Sequence, residues 1–406
     1  VCFPMFIALR SDFHCSLMNH CYLIGFMVAF LLVSSGCDSG TAPSLYDPDR
    51  SSLSDPTIDT VSPEGSALAG VDVITITGSN FSTQPSENLV YFGTDRANVL
   101  ESTATQLQVF APNSPQPELQ LRMSVVGAEN FSNSVAYGLD APFIEFGDVK
   151  DFEDIYGIAT DDDGNLYASL VAFNLAVGII KITPEGERSD YITSTFPWTD
   201  IEFGSDNTLF AVRSVRALFS APKDGTNFAV FAVIPNSTTR LNSIAIDSND
   251  RVWTSGINAD IYRVDPDKSI HTFDFEPNVR DLVLFGDHLY VAGVQDDKGM
   301  IWRFPIDVTG NLGMAEDFHD FGSSDVTPYA LAFSADGHLY VGVDDTDPVL
   351  LINPDGDDDV LYPDVITQPA RQFAWGIEDQ LFAATNSSDT LSSGIIRIKT
   401  RRIGNR

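Results

Sequence analysis

Gly157-Ile-Ala-Thr-Asp-Asp-Asp-Gly-Asn-Leu-Tyr167 carries the pattern that decides the fold. A small or polar residue opens a short apolar strand, a turn rich in Asp, Gly and Asn follows, and an apolar-aromatic pair begins the next strand. The pattern returns at Asp200–Phe210, Ser243–Trp253, Asp281–Tyr290, Ala330–Tyr340 and Gln372–Phe382. Its aromatic residues are 43, 43, 37, 50 and 42 positions apart. A second turn signal, Pro with Asp or Glu and Gly, follows at Thr183-Pro-Glu-Gly186, Ala221-Pro-Lys-Asp-Gly225, Val264-Asp-Pro-Asp267 and Asn353-Pro-Asp-Gly356. Six copies of a four-stranded unit predict a six-bladed β-propeller, because radial packing covers sheet faces that one blade alone exposes. The last copy shows three strands, ending at Gly394–Lys399. Pro142-Phe-Ile-Glu-Phe146 is the spare strand expected to close the ring.

Upstream, period-two runs are broken by Gly, Pro, Asn and Ser about every ten residues, which predicts a small antiparallel β-sandwich over 56–139. Ser132-Asn-Ser-Val135 is expected to close it, and Gly78 and Asn80 to supply unusual backbone angles. Its residues Ile58, Val61, Ser62, Pro63, Gly65, Thr75, Gly78, Asn80, Phe81, Phe92 and Gly93 resemble those of an IPT/TIG domain, an immunoglobulin-like module. The resemblance implies structural roles, with Phe81 and Phe92 in the core. The whole is therefore an all-β chain, an Ig-like sandwich followed by a propeller over 142–402.

All four cysteines, Cys2, Cys15, Cys21 and Cys37, precede residue 38, so the folded body is expected to lack disulfides and thiolate metal sites. Met18 is read as the initiator, Tyr22–Val33 as a signal h-region too short to span a bilayer, and 1–37 as a signal region. Ser35-Gly-Cys37 resembles a bacterial lipoprotein cleavage site, which implies a diacylglyceryl group on Cys37, membrane attachment through that lipid and a place in the cell envelope. Residues 38–55 lack apolar periodicity and read as a flexible tether.

The chain has 57 acidic and 23 basic residues, a net charge of −34. Nucleic acid would be repelled and is excluded as a partner. The turn runs Asp161–Asn165 and Asp355–Asp359 lack the residue order of a calcium loop and are read as solvated hairpin turns. His271, His288, His319 and His338 show no metal-like spacing.

Inner strands of a propeller converge on its axis, so their first residues are the candidate site: Tyr156, Asp200, Asn242, Asp281, Tyr329 and Arg371. Carboxylates, an amide, guanidinia and phenols around one axis can hold Ca²⁺ or a polyhydroxylated ligand. They can equally satisfy each other around a water-filled channel. The six-fold repeat resembles the NHL and SMP-30/gluconolactonase propellers. Lactonase-type members bind a divalent cation through a first-blade Glu, Asn residues and an Asp. Here Ile155 stands at the Glu position and Tyr329 at an Asn position, while Asn242 matches and Asp200 and Asp281 lie in shifted register. The metal candidates are Asp200, Asn242 and Asp281. Two readings follow: an envelope lipoprotein whose propeller binds a glycan, peptide or protein with the Ig-like domain as spacer, or a metal-dependent lactonase or esterase of the SMP-30 type. No catalytic residue is assigned.

Overall fold

The computed structural model describes residues 52–322, 326–385 and 393–405. The signal region, Cys37 and nearly all of the 38–55 tether lie outside the described residues.

The sandwich has two sheets. One orders Thr57–Ser62, Val73–Ser79, Gln106–Phe110 and Asn98–Ser102; the other orders Ser66–Leu68, Val135–Asp140, Gln116–Val125, Asn88–Phe92 and Asp95–Arg96. Alternate residues point inward, and Ile74, Ile76, Val90, Leu107, Leu121 and Met123 are fully buried between them. Phe81 and Phe92 join this core. Three details differ from the sequence-based expectation. The pairing of Ser66–Leu68 with Gly138–Asp140 is parallel. The closing strand is Val135–Asp140, because Ser132 and Asn133 instead receive hydrogen bonds on their side chains, from the backbone N–H of Met123 and Ile58. Asn80 does sit at φ +61°, but Gly78 is required by close approach: a Cβ there would collide with the Thr57 carbonyl.

Six four-stranded sheets follow. Blade 1 is Glu153–Thr160, Leu166–Ala172, Leu175–Ile182 and Arg188–Thr193, paired in that order from the axis outward. The inner strands of blades 2 to 6 are Asp200–Phe203, Arg240–Ile246, Asn278–Phe285, Pro328–Phe333 and Ala370–Trp375. The apolar-aromatic pairs of the repeat, from Leu166-Tyr167 to Leu381-Phe382, are all at most 7% exposed. They fill the spaces between blades, at about 1.5–3 kcal/mol per large side chain. Blade 6 takes its outer strand from Phe143–Glu145, which pairs antiparallel with Gly394–Lys399 in the register Phe143–Ile398, Ile144–Arg397, Glu145–Ile396. Phe146 then packs on Phe382 with ring centroids 4.9 Å apart. The ring is closed by chain from both its ends.

In blade 4 an insertion around Asp307–Gly313 docks on blade 3, where the Gly310 carbonyl accepts a hydrogen bond from Arg263. The sandwich touches the propeller through Arg401, which grips the Asp72 carboxylate with both terminal nitrogens. The turn runs are not alike. Asp355–Asp359 is exposed, whereas Asp161 is buried and accepts hydrogen bonds from the Asn165 side chain and the Tyr167 hydroxyl. Beyond blade 6 the tail crosses the turn end of the axis. Asn405 donates its backbone N–H to Phe333 O at 2.9 Å and its amide to Leu284 O at 3.3 Å.

Candidate functional site

Each inner strand after the second carries one extra residue near its start. Leu241 and Ser243 oppose Gly256 and Ser255, so Asn242 is left over. Arg280, Tyr329 and Arg371 are left over in the same way in blades 4, 5 and 6, and one residue of Tyr156-Gly157 in blade 1. An extra residue of this kind re-aims its side chain out of the pleat. The bulged residues of four successive blades touch in sequence. Asn242 donates its amide to Arg280 O at 2.8 Å. The Arg280 guanidinium stands 5.5 Å from the Tyr329 ring centroid, and Arg371 stands 3.6 Å from the same ring. One phenol thus carries two cations. Arg371 also reaches Asp344 at 3.3 Å, while no described carboxylate lies within 4.0 Å of Arg280. The Nε atoms of both arginines are buried without a described hydrogen-bond partner. Tyr156 is 41% exposed on the blade 1 side of this mouth.

The two candidate carboxylates lie one layer below. Asp200 and Asp281 are 5% and 6% exposed. Asp200 accepts from Ile201 N and Ile244 N, Asp281 accepts from Leu282 N and Leu331 N, and the Ser243 hydroxyl oxygen lies within hydrogen-bond distance of both carboxylates. Each carboxylate therefore ties the inner strand of its own blade to that of the next. Burial raises both pKa values, helped at Asp200 by the charge of Asp281, which is itself raised to about 6. Glu202 is pushed up as well, by burial and then by both aspartates.

Asp200, Asn242 and Asp281 do not form a cation cage as they stand. Every oxygen of the two carboxylates already accepts from a backbone N–H, and Asn242 is held by its Nδ2, which donates to Arg280 O. Among the described residues there is no group of three or more His, Cys, Asp or Glu side chains that could hold a metal ion.

Beneath this layer, a cavity of about 420 Å³ runs to the turn end of the axis, lined by Glu202, Asp247, Asp250, Phe333, Trp375 and Asn405 among others. The channel thus has two unlike ends, a cationic, phenolic one at the strand starts and an acidic one at the turns. Arg213 was not legible as a site residue: it follows the second strand of blade 2, outside the repeated positions, and is described below.

Residues 56–138 match the IPT/TIG domain and residues 201–373 the SMP-30/Gluconolactonase/LRE-like region. No curated protein matches the sequence. Among solved structures, an auxiliary nutrient-binding protein from Bacteroides ovatus superposes with a TM-score of 0.51 at 12% identity, over 88% of this chain and 100% of its own. Its counterpart from Bacteroides thetaiotaomicron gives 0.51 at 12% identity, over 88% and 98%. Regucalcin, a calcium-binding protein from Agrobacterium tumefaciens, gives 0.53 at 14% identity, over 65% and 96%. At these identities the likeness is one of fold. The chain joins an IPT/TIG domain of Ig-like architecture to a six-bladed propeller that contains an SMP-30/gluconolactonase-like region.

Proposed function

We propose that this protein is a lipid-anchored binding protein of the bacterial cell envelope. Its propeller takes a polyhydroxylated ligand, a glycan fragment, at the strand-start mouth, and its Ig-like domain is a spacer. The observation that carries the reading is the contact series Asn242, Arg280, Tyr329 and Arg371, with two guanidinia on one phenol. Forked donors and an aromatic face suit sugar hydroxyls and ring faces. Two of the fold neighbours are described as nutrient-binding proteins, which agrees with a binding role.

Titrating a library of neutral and acidic oligosaccharides by calorimetry tests this. Arg280→Ala and Arg371→Ala should each weaken binding of any hit about ten- to a hundredfold, the size of a lost charge-assisted hydrogen bond. Asp355→Ala, on an exposed turn, should leave it unchanged. Loss in the turn variant with retention in the mouth variants refutes the assignment. The match to the gluconolactonase-like region favours a second reading, a metal-dependent lactonase. Turnover of a lactone that needs added Ca²⁺ or Mn²⁺ and is lost in Asp200→Ala would establish it in place of the first.

A further inference from the structure

Where the chain passes from blade 1 to blade 2, a separate pocket of about 300 Å³ opens away from the axis, walled by Ser194, Phe196, Trp198, Arg213, Asn227 and Phe228. Local chemistry builds it. The Ser194 hydroxyl accepts Phe196 N–H and donates to Phe196 O, which holds Phe196 out at 49% exposure. The Trp198 backbone N–H is fastened to the Ser169 hydroxyl at 2.9 Å, and the Trp198 ring packs on Phe228 at 4.2 Å between centroids. The Arg213 guanidinium lies 3.7 Å from the Phe196 ring centroid.

Two donors on the residues that wall this pocket have no partner among the described residues. Trp198 is 2% exposed, yet among the described residues its indole Nε1 has no acceptor. The Arg213 Nε is also buried without a partner, and no described carboxylate lies within 4.0 Å of this guanidinium. The chain has 57 acidic residues, so a cation left without one of them is not for want of supply. Buried donors of this kind are costly unless something accepts from them. Burial also lowers the Arg213 pKa, the mark of a guanidinium short of solvent.

A carboxylate offers the two oxygens that the Arg213 fork and the indole N–H call for. The phenyl faces offer contact to one ring, and the volume leaves room for a molecule of about that size. With a net charge of −34 the protein repels multivalent anions most strongly. We infer that this pocket binds a ring-bearing monocarboxylate, a sugar acid or an aromatic acid, with its carboxylate on Arg213 and the Trp198 indole N–H and its ring against Phe196 and Phe228.

The four indole N–H signals of the ¹⁵N-labelled full chain read this out, with Trp198 assigned through Trp198→Phe. Glucuronate and benzoate are the probes, and glucose and benzyl alcohol their neutral counterparts. Glucuronate or benzoate should move the Trp198 signal and leave those of Trp253, Trp302 and Trp375 in place. Which acid binds more tightly tells a sugar acid from an aromatic one. Arg213→Gln should weaken that binding about ten- to a hundredfold, Phe196→Ala should weaken it too, and Arg371→Gln at the axial mouth should not change it. The unmoved indoles report whether each variant is folded. The inference is overturned if neither acid moves Trp198, if the neutral counterparts move it equally, or if Phe196→Ala binds as the wild type does. The axial proposal stands or falls separately, on Arg280 and Arg371.

Discussion

Replacing Asp281 with Asn should flatten the pH dependence of stability across mildly acidic pH. The Ser243 hydroxyl has one proton, yet its oxygen lies 2.9 Å from Asp200 Oδ2 and 2.7 Å from Asp281 Oδ1. One proton cannot serve two carboxylates, so the second short contact needs a proton on one of them. Burial favours that protonation: it raises the Asp281 pKa from 3.8 to about 6, and burial together with the Asp281 charge pushes Asp200 well above its ordinary value. A carboxyl whose pKa is higher folded than unfolded contributes stability that is complete below the unfolded value. That contribution is lost as pH rises through the folded value. At 1.36 kcal/mol per unit, the rise to about 6 corresponds to about 3 kcal/mol lost between pH 4 and 7. The amide of Asp281→Asn cannot ionise, so this component disappears. The variant also turns an amide NH₂ toward one former donor, Leu331 N–H or Leu282 N–H, at a pH-independent cost of about 1–3 kcal/mol. Urea unfolding of both proteins from pH 4 to 8 measures the difference. Exposed carboxylates with lowered pKa values, such as Asp267 and Asp307, titrate alike in both and cancel. Parallel stability curves for the two proteins refute the assignment of this titration to Asp281.

Two further outcomes concern the closure of the ring and the lipid anchor. A fragment of residues 150–406 lacks Phe143–Glu145 and exposes the edge of Gly394–Lys399, so it should aggregate, while 140–406 should remain monomeric by size-exclusion chromatography; a stable monomeric 150–406 removes the closure argument. Cys37→Ser should release the protein from membranes and abolish labelling by a radioactive fatty acid, and persistence of both would refute the lipid anchor.

The repeat from Gly157 to Phe382 determined the six-bladed fold by itself, because apolar pairs at regular spacing have no other way to be covered. The closing strand was equally legible, since a three-stranded last copy leaves an edge that only 142–146 can pair. The convergence of Asn242, Tyr329 and Arg371 could be anticipated from their repeated position. Their depth could not: neighbouring residues of one strand, Asn242 and Ser243 or Arg280 and Asp281, are separated into mouth and buried layer by a bulge. A bulge depends on how two strands pair and not on either strand alone. Contacts made across paired strands likewise bury Asp161 against Tyr167 in what the sequence presents as a solvated turn, and set Gly78 against the Thr57 carbonyl where the sequence suggests a turn residue. The pocket of Trp198, Arg213 and Phe228 has no sequence signature, because its walls come from the connection between blades 1 and 2 and from separate turns of blade 2, which meet only when the strands of that blade pair.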